Sequence, residues 1–594
     1  MRRLPATAFT ALVLATVAAF FVAQHLKVTT PLIAGDPHPF PTVINPNETG
    51  CYGDNRYANF SFYLLHRADD VAVWIVNQEG TIVRTLSSGR HMRRGVRYPD
   101  GNFPWNGRGD DEKIVPDGMY YFRIALLHQG RTIELTKNPV VVKTAPPHPV
   151  ITAVSPPLIP QDASPVTIRY AGVAKRGATI LIYRTDLPGA PRLVKTFGAP
   201  SGTSATWDGR INRRPVAAGT YLVGLTATDA ACNTGHFPQT LPPPPGTTPH
   251  AGLTVRYLAA QPPLDPVPAG AATTVYVDSR QRPYTWTLAR VGARRAVSHG
   301  SSRSYALRVR LPGADAGLYV LSIASGPHRT AVPLIASASG NSQQQSILVV
   351  LPALTWQGQN PVDDNGDGLP NTLDGGGPVA VRRPLANGLP ADFQQEAALV
   401  AYLDSAHLHY DLTTDLGLAD GAGPALNAHR GVVLAAAERW LPIALSAGLR
   451  SYVQGGGHLL SIGVGSMLRG VTLRGSEALD PSAPAATDAL GARPGQLVSH
   501  NNQLLLVIRD GLGIFSSTSG AFTGFASFQP YGSVAVPGGI VSAAGTSDTS
   551  KAIIGYRLGR GTVVDIGLST FGTSLAHGAD PQELIRRLWT VLSR

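Results

Sequence analysis

Residues 443–462 read IALSAGLRSYVQGGGHLLSI, and their pattern sets the fold class of the C-terminal part of the chain. Residues 443–453 repeat apolar side chains at helical spacing. The glycines at 455–457 end this helix, and His458–Ile462 reads as a short buried strand. Because the glycines lie between a helix and a strand, they indicate a C-terminal cap and turn rather than a phosphate-binding loop.

The same alternation of strand and helix continues on both sides of this stretch. A helix is predicted after Asp392, which can cap it, and the last helix opens with Asp580-Pro581. Further buried strands are predicted at 347–351, 410–418, 431–435, 552–556 and 562–566. This succession predicts a parallel sheet with covering helices in residues 346–594.

The segment 363–374, DDNGDGLPNTLD, carries the sharpest short motif of the chain. Oxygen-bearing side chains fall at its first, third, fifth, ninth and twelfth positions, and Gly368 falls at the sixth, where a calcium loop turns sharply. The ligands predicted for calcium are Asp363, Asn365, Asp367, Asn371 and Asp374. Asp374 departs from the pattern, because an EF-hand has a longer glutamate there. The alternative is an Asx-rich surface turn that binds no ion.

Five blocks of the same region resemble the C-terminal part of the N,N-dimethylformamidase large-subunit family, whose core is like a class I glutamine amidotransferase. They read LPALTWQ at 351–357, YDLTTDL at 410–416, ERW at 438–440, YVQGGGHLL at 452–460 and RLGRGTV at 557–563. The resemblance covers roughly residues 300–594 and implies a flavodoxin-like or amidotransferase-like domain. It also implies hydrolysis of a small amide with an iron held by tyrosine and glutamate side chains.

The chain departs from that family at the implied iron ligands. Gln359 and Arg439 stand where family members tend to have tyrosine. A guanidinium has no lone pair to give a metal, so Arg439 cannot replace a phenolate. We therefore interpret Glu438 as a structural residue that pairs with Arg439 or with a neighbour.

The nucleophile of an amidotransferase is missing as well. The chain continues after His458–Ile462 as GVGSM, so Ser466 stands near the place of the usual cysteine. Ser466 lacks the G-x-S-x-G frame, and no histidine partner can be assigned to it. His407 and His409 could approach a metal together, but two histidines at a helix end are more often exposed.

The N-terminal half contains a duplicated motif. WNGR at 105–108 precedes VPDGMYYF at 115–122, and WDGR at 207–210 precedes PVAAGTYL at 215–222. Strands predicted upstream of each suit a small sandwich. The repeats resemble the immunoglobulin-like modules of the flagellar hook-capping protein family over roughly residues 36–245, which implies a spacer or assembly role. Trp105 and Trp207 are interpreted as core residues.

The proline run LPPPPG at 241–246 reads as a semi-rigid linker, and later strands describe a third β module. The predicted fold class is multidomain, all-β plus α/β. The predicted parts are a signal-anchor segment with a stalk, two immunoglobulin-like modules, a third β-sandwich module and an amidotransferase-like α/β domain. Their bounds are 1–35, 36–146, 147–245, 246–345 and 346–594.

Residues 4–23, LPATAFTALVLATVAAFFVA, carry no charge and are long enough to cross a membrane as a helix. Arg2 and Arg3 precede them, which predicts that this end stays in the cytoplasm and that the rest is exported. We predict a signal anchor that fixes the protein to the membrane. A cleaved signal peptide is the alternative, because VAA at 17–19 resembles a cleavage site.

The formal net charge is +12 at pH 7, but the arginines are scattered and no nucleic-acid partner is expected. Attraction to anionic lipid head groups or envelope polymers is the simpler consequence of such a charge. Cys51 and Cys232 cannot form a metal cluster alone. Export would allow them to pair between two modules, and two free thiols are the alternative.

These observations leave three functions open. The first is a non-catalytic, membrane-anchored extracytoplasmic protein whose C-terminal domain binds a ligand or partner at the cell envelope. The second is an exported amide hydrolase with a site rebuilt from Glu438, Asp415 and Ser466. The third is a carbohydrate- or wall-binding assembly factor.

Overall fold

The structure is a computed structural model that describes residues 4–29, 31–34, 37–47, 55–160, 162–173, 178–200, 202–313, 315–339, 345–499, 504–546 and 550–594. It consists of an N-terminal helix, a series of small β-sheets and a nine-stranded mixed sheet near the C-terminus. The chain is therefore β-rich and built from several packed units.

Helix α1 spans Leu4–Thr29. Within it, residues Ala6–His25 are long and apolar enough to cross a membrane, and none of them is buried. Phe9, Leu12 and Phe21 are each about two-thirds exposed. By length and composition, α1 is compatible with a membrane anchor and also with a signal peptide.

The first β unit follows this helix. Its sheet has the order β1-β6-β4-β2-β3, with β5 paired to β4. Phe60, Phe62 and Trp105 come from segments outside the sheet and pack into its core. The strands are β1 (Val43–Ile44), β2 (Asp69–Val76), β3 (Ile82–Met92), β4 (Gly118–Leu126), β5 (Arg131–Glu134) and β6 (Val140–Val142).

The second β unit has a six-stranded sheet and a three-stranded sheet around one core. Its strands are β7 (Val150–Ser155), β8 (Leu158–Ile159), β9 (Val166–Ala171), β10 (Ala178–Arg184), β11 (Arg192–Ala199), β12 (Ser204–Trp207), β13 (Arg210–Ile211), β14 (Arg214–Pro215), β15 (Gly219–Thr228), β16 (Thr234–Phe237) and β17 (Gly252–Val255). The larger sheet runs β11-β10-β15-β17-β8, with β16 on β15. Strand β17 lies beyond the proline run and the predicted boundary at residue 245, yet it pairs with β15.

The duplicated motif makes the same hydrogen bonds in both units. The indole nitrogens of Trp105 and Trp207 donate to the carbonyls of Arg108 and Arg210, at 2.9 and 3.0 Å. The tyrosines of the two motifs likewise donate to carbonyls four residues upstream. Both tryptophans are buried, which confirms their prediction as core residues.

Side chains join the first two units. Asn45 Nδ2 donates to Asn233 Oδ1 at 2.6 Å, and Asn55 Nδ2 donates to the Cys232 sulfur at 3.3 Å. Cys232 is disulfide-bonded, so the alternative of a free thiol at this position is wrong. Cys51, the other cysteine of the sequence, lies outside the described residues.

The third β unit has a three-stranded sheet, β18-β20-β23, and a five-stranded sheet, β19-β25-β24-β21-β22. Strands β20, β23 and β24 confirm that the chain after the proline run contains the predicted β strands. The strands are β18 (Ala259–Gln261), β19 (Val267–Pro268), β20 (Ala272–Asp278), β21 (Tyr284–Arg290), β22 (Ser298–Ser302), β23 (Ala306–Arg310), β24 (Gly317–Ser325) and β25 (His328–Ser337).

The C-terminal unit is built on the nine-stranded sheet β28-β26-β29-β31-β42-β41-β40-β36-β37. Its main strands are β26 (Ile347–Leu351), β28 (Asp411–Thr414), β29 (Gly431–Leu434), β31 (His458–Ile462), β36 (Leu505–Asp510), β37 (Ala521–Phe522), β40 (Ile540–Gly545), β41 (Lys551–Leu558) and β42 (Gly561–Ile566). The smaller strands are β27 (Val379–Ala380), β30 (Trp440–Pro442), β32 (Arg469–Arg474), β33 (Glu477–Leu479), β34 (Ala492–Pro494), β35 (Val498–Ser499), β38 (Ser527–Phe528) and β39 (Tyr531–Val534).

Strands β28, β26, β29, β31 and β42 run parallel, and the other four extend the sheet antiparallel. The expected parallel sheet is therefore mixed. Gly559 and Arg560 alone join β41 to β42, and so short a connection can link only antiparallel neighbours. Buried apolar residues cover both faces of the sheet.

The helices of this unit are α2 (Ala353–Gly358), α3 (Phe393–Ser405), α4 (Asp415–Asp420), α5 (Ile443–Gln454), α6 (Phe571–Ser574) and α7 (Ala579–Leu592). The predicted helices after Asp392, at 443–453 and at the C-terminus are confirmed. Asp392 lies at the N-cap of α3, but its side chain makes no capping hydrogen bond. The predicted strand 410–418 is too long, because the Thr414 hydroxyl accepts the Gly417 N–H and starts α4.

Candidate functional site

The candidate site lies where the chain leaves three neighbouring parallel strands. In the sheet, β28 and β29 are the two neighbours of β26. The chain passes from β26 to β28 and then reverses direction across the sheet to β29. Ligands of open α/β sheets bind outside the carboxyl ends of strands at such a reversal. Asp415 directly follows β28, and Glu438 lies four residues after β29.

Asp415 and Glu438 form a carboxyl pair, and neither residue has any exposed surface. Both Asp415 oxygens accept the backbone N–H of Leu354 at 3.0 Å, and Oδ1 also accepts that of Leu416 at 2.7 Å. Neither Glu438 oxygen has a donor within the part of the chain that the structure describes. A proton on one of the two carboxyls would supply a hydrogen bond between them, and we infer that the pair shares one.

The surroundings of the pair favour this proton. Burial raises the pKa of Asp415 to about 7, although the N–H groups of Leu354 and Leu416 lower it. Burial, and next the charge of Asp415, raise the pKa of Glu438 well above its ordinary value. These shifts favour Glu438 as the protonated member of the pair.

Glu396, from α3, is a third buried carboxyl near this pair. Its Oε1 accepts the indole N–H of Trp356 at 3.1 Å, whereas its Oε2 has no donor among the described residues. Burial raises the pKa of Glu396 to about 8, the Trp356 N–H lowers it, and the charge of Asp392 raises it. Glu396 is therefore mostly protonated at pH 7.

Ser466 lies on the other side of Glu438. Gly463 and Gly465, with φ of 113° and 73°, turn the chain after β31 and bring Ser466 to the site. The Ser466 hydroxyl accepts the Glu438 backbone N–H at 3.2 Å. No hydrogen bond joins Ser466 to a histidine in the described ranges, and His407 and His409 are both exposed.

Glu438 was predicted to pair with Arg439 or with a neighbour, and its partner is Asp415 rather than Arg439. Arg439 points away, with its guanidinium 5.4 Å from the centre of the Trp440 ring and 3.9 Å from Asp374. Glu438 thus faces inward to Asp415, while Arg439 faces outward.

The donor set does not fit the iron centre that the family resemblance implies. Gln359 and Arg439 offer no phenolate, and the proton shared by Asp415 and Glu438 makes both poor ligands. Among the described residues, no group of three or more His, Cys, Asp or Glu side chains could hold a metal ion. No step of the chemistry is therefore assigned to iron.

The residues predicted for calcium are only partly brought together. Asp363 accepts the N–H groups of Gly366 and Gly368 at 2.7 and 2.8 Å. Asp367 accepts the N–H groups of Gly246 and Leu369 at 2.6 and 2.9 Å.

The remaining three have other partners. Asn365 accepts the Asp367 N–H at 3.2 Å, and Asn371 accepts the Asp364 N–H at 2.6 Å. Asp374 forms an ion pair with Arg469 at 2.7 Å. Calcium binding therefore stays a prediction, and any ion would compete with these donors.

A cleft of about 1000 Å³ opens beside the carboxyl pair. Thr355, Trp356, Glu396 and Arg439 line it, whereas Glu438, which is fully buried, does not. A pocket of this size suits a small ligand or a short polymer segment.

Glu396 was missed by reasoning from the sequence, although a signal was present. It precedes Leu399, Val400 and Leu403 by three, four and seven residues, which places its side chain on the buried face of the same helix. A carboxyl on an apolar helix face needs a partner or a proton, so the spacing marks it as a candidate site residue.

Comparison with known proteins gives one family match. A sequence model of the family described as N,N-dimethylformamidase beta subunit-like, C-terminal, matches residues 300–485. No curated protein matches the chain.

Similar solved structures share little sequence with the chain. A beta-galactosidase from Bacillus circulans sp. alkalophilus is 11% identical, with a TM-score of 0.24 over 33% of this chain and 26% of that one. Sidekick-1 immunoglobulin domains 1–5 are 13% identical, with a TM-score of 0.21 over 52% of this chain and 59% of that one. The human OSCAR ligand-binding domain is 14% identical, with a TM-score of 0.19 over 34% of this chain and 94% of that one.

Structural similarity at this level identifies neither fold nor function. The matched part of the chain covers about a quarter of the length of the beta-galactosidase. The firm result is that residues 300–485 are similar to the C-terminal part of the N,N-dimethylformamidase beta subunit.

Proposed function

We propose that this protein is a membrane-anchored, extracytoplasmic protein whose C-terminal unit binds a ligand or partner at the cell envelope without hydrolysing amides. The observation that carries this proposal is the state of Glu438. Its carboxyl is fully buried, has no hydrogen-bond donor among the residues that the structure describes, and does not line the cleft.

Such a pair is better suited to holding a fold together than to attacking a substrate. A protonated carboxyl cannot act as a general base, and Asp415 is already occupied by two backbone N–H groups. The Ser466 hydroxyl accepts the Glu438 backbone N–H, and no described histidine is hydrogen-bonded to it as a base. The site therefore supports binding in the adjacent cleft more than chemistry at the carboxyl pair.

The N-terminal part of the proposal concerns location. An exposed apolar helix preceded by Arg2 and Arg3 supports an anchor whose C-terminal side is exported. The two motif-bearing β units resemble hook-cap modules in sequence, and we propose that they space the C-terminal unit from the membrane. Envelope polymers or another surface protein are the partners we propose.

Turnover of formamide and N,N-dimethylformamide by the purified full-length protein tests the absence of catalysis. We expect no hydrolysis above that of Glu438→Ala and Ser466→Ala. Protease treatment of intact cells tests location, and we expect digestion of everything after α1. Hydrolysis that Glu438→Ala abolishes, or protection of the large C-terminal part, would contradict the respective half of the proposal.

An exported amide hydrolase is the second candidate function. The specific observation in its favour is that Glu438, Asp415 and Ser466 lie together at the carboxyl ends of the parallel strands. Perturbed buried carboxyls cluster at catalytic sites, and one of these carboxyls could donate a proton to a leaving amine. The same turnover assay distinguishes this candidate from the first.

Calcium binding at residues 363–374 is a separate proposal that rests on the sequence pattern. Backbone N–H groups occupy the carboxylates of Asp363 and Asp367 and would compete with the ion. We therefore expect weak binding, with a dissociation constant on the order of 10⁻⁴–10⁻³ M, as in extracellular modules.

A further inference from the structure

The cleft beside Glu396 is not made by the C-terminal unit alone. The turn between β10 and β11, residues 185–189, and the prolines at 242, 243 and 245 form part of its wall. The opposite wall and the floor come from α2, from the start of α3 and from the segment after β29. The second β unit thus completes a pocket that the C-terminal unit leaves open.

A loop of the C-terminal unit fixes the position of this wall. Residues 361–371, which we call the clasp loop, receive hydrogen bonds from the second β unit. The backbone N–H groups of Gly252 and Gly246 donate to Gly366 O and Asp367 Oδ2, at 2.9 and 2.6 Å. The hydroxyls of Thr185, Thr220 and Thr248 donate to carbonyls of the loop at 2.7, 3.3 and 2.7 Å.

Two glycines allow the backbones to approach this closely. A Cβ on Gly252 would lie 2.6 Å from the carbonyl of Gly366, and a Cβ on Gly368 would lie 2.8 Å from Leu222 Cα. Gly368 also has φ of 83°, which a side chain would strain. The shared wall is therefore a packed interface rather than a loose contact.

Glu396 provides an unfilled hydrogen-bonding position at the cleft. It is only 1% exposed, it lines the cleft, and its Oε2 has no partner among the described residues. Leaving a buried polar atom unpaired costs free energy, which a ligand group can recover. A hydroxyl satisfies this carboxyl in either protonation state, since a hydroxyl both donates and accepts.

The remaining lining indicates an uncharged ligand. Seven amide or hydroxyl side chains line the cleft, and its described lining contains no lysine. Of the charged lining residues, Asp186 and Asp374 are neutralised by Arg184 and Arg469, at 2.8 and 2.7 Å. Asp367 accepts two backbone N–H groups, and Arg439 lies 3.9 Å from Asp374, so Asp392 is the remaining charge of the lining. The amide and hydroxyl side chains are Thr185, Thr355, Gln359, Asn360, Asn371, Thr372 and Asn387.

We propose that this cleft between the second β unit and the C-terminal unit binds a neutral oligosaccharide, with Glu396 bonded to a sugar hydroxyl and residues 185–189 closing the site. The inference rests on the proposed binding function and names its ligand class. It makes the second β unit a part of the binding site rather than only a spacer.

Calorimetric titration of the full-length protein in detergent micelles tests this proposal. The probes are cellotetraose, maltotetraose and the tetramer of N-acetylglucosamine, with tetragalacturonate and tetraglycine as charged and peptide comparisons. Pro188 is an exposed residue of the turn that lines the cleft, and Pro188→Trp places a large side chain into the cleft. Ala190→Trp, two residues further and outside the cleft, is the matched control.

We expect at least one neutral tetrasaccharide to bind the wild type. Its affinity should be about tenfold weaker in Pro188→Trp and in Glu396→Leu, because losing a contact or hydrogen bond of about 1.4 kcal/mol lowers a binding constant tenfold. Ala190→Trp should bind like the wild type, because residue 190 lies outside the cleft. Equal binding by Pro188→Trp, binding of tetraglycine alone, or no binding of any neutral saccharide overturns the proposal. Amide turnover would instead contradict the proposed function and leave this result standing.

Discussion

Replacing Glu396 with glutamine should stabilise the C-terminal unit, because the wild-type carboxyl must stay protonated to remain buried. Its pKa rises from the ordinary 4.5 to about 8 in the folded protein, chiefly because burial penalises the charged form. The difference of about 3.5 pH units corresponds to roughly 5 kcal/mol at 1.36 kcal/mol per unit.

The sign follows from the direction of the change. Below pH 4.5 the raised pKa of Glu396 contributes its full stabilisation to the folded state. This stabilisation falls as the pH rises above 4.5 and is lost once the pH has passed about 8. At pH 7 the wild type has lost roughly 3 kcal/mol of it, which is an upper bound if water enters on ionisation. Glutamine is neutral throughout and still accepts the Trp356 N–H, so Glu396→Gln avoids the loss.

Hydrogen exchange of α3 peptides between pH 4 and pH 9, corrected for intrinsic exchange rates, measures this effect. We expect the opening free energy of α3 to fall with pH in the wild type and to stay nearly flat in Glu396→Gln. Glu477→Gln, at an exposed position of the same unit, is the control and should follow the wild type. Identical pH dependence in the wild type and Glu396→Gln would refute the reasoning.

Three further predictions follow from the contacts described above. Asp367→Ala removes the acceptor for the Gly246 and Leu369 N–H groups and should lower the free energy of unfolding by about 1–3 kcal/mol. The loss should appear as faster proteolysis at the proline run 242–245, whereas the control Asp315→Ala should leave the proteolysis rate unchanged. Trp105→Phe and Trp207→Phe should destabilise their units by similar amounts, about 1–3 kcal/mol each by thermal unfolding. Each change removes the indole donor to the corresponding carbonyl, that of Arg108 or Arg210, and part of a buried ring; strongly unequal losses would contradict the equivalence of the two motifs. Calcium titration should give weak heat that Asp367→Ala abolishes, and absence of heat in the wild type at about 5 mM calcium would end the calcium proposal.

Much of the C-terminal framework could be predicted because its signals are local. His458–Ile462 contains three apolar residues and forms a strand inside the nine-stranded sheet, and 443–453 has a helical spacing that needs no long-range partner. Even the antiparallel turn at Gly559 and Arg560 is readable, since two residues cannot cross between parallel strands.

The site was harder to predict because its contacts join distant parts of the chain. Glu438 and Asp415 could be named, but the direction of the Glu438 side chain depends on the backbone at Arg439. The cleft wall joins Thr185 to Gly368, which are 183 residues apart, and no sequence pattern links them. Arg383, buried and bonded to carbonyls of the clasp loop and its flanks, also gives no local signal.

Elemental analysis tests most directly whether the carboxyl pair holds a proton or a metal. The measurement is the metal content of the freshly purified full-length protein. The shared proton of Asp415 and Glu438 predicts iron and zinc at trace level only, unchanged in Glu438→Ala. One equivalent of iron or zinc per chain, lost in Glu438→Ala, would contradict the account.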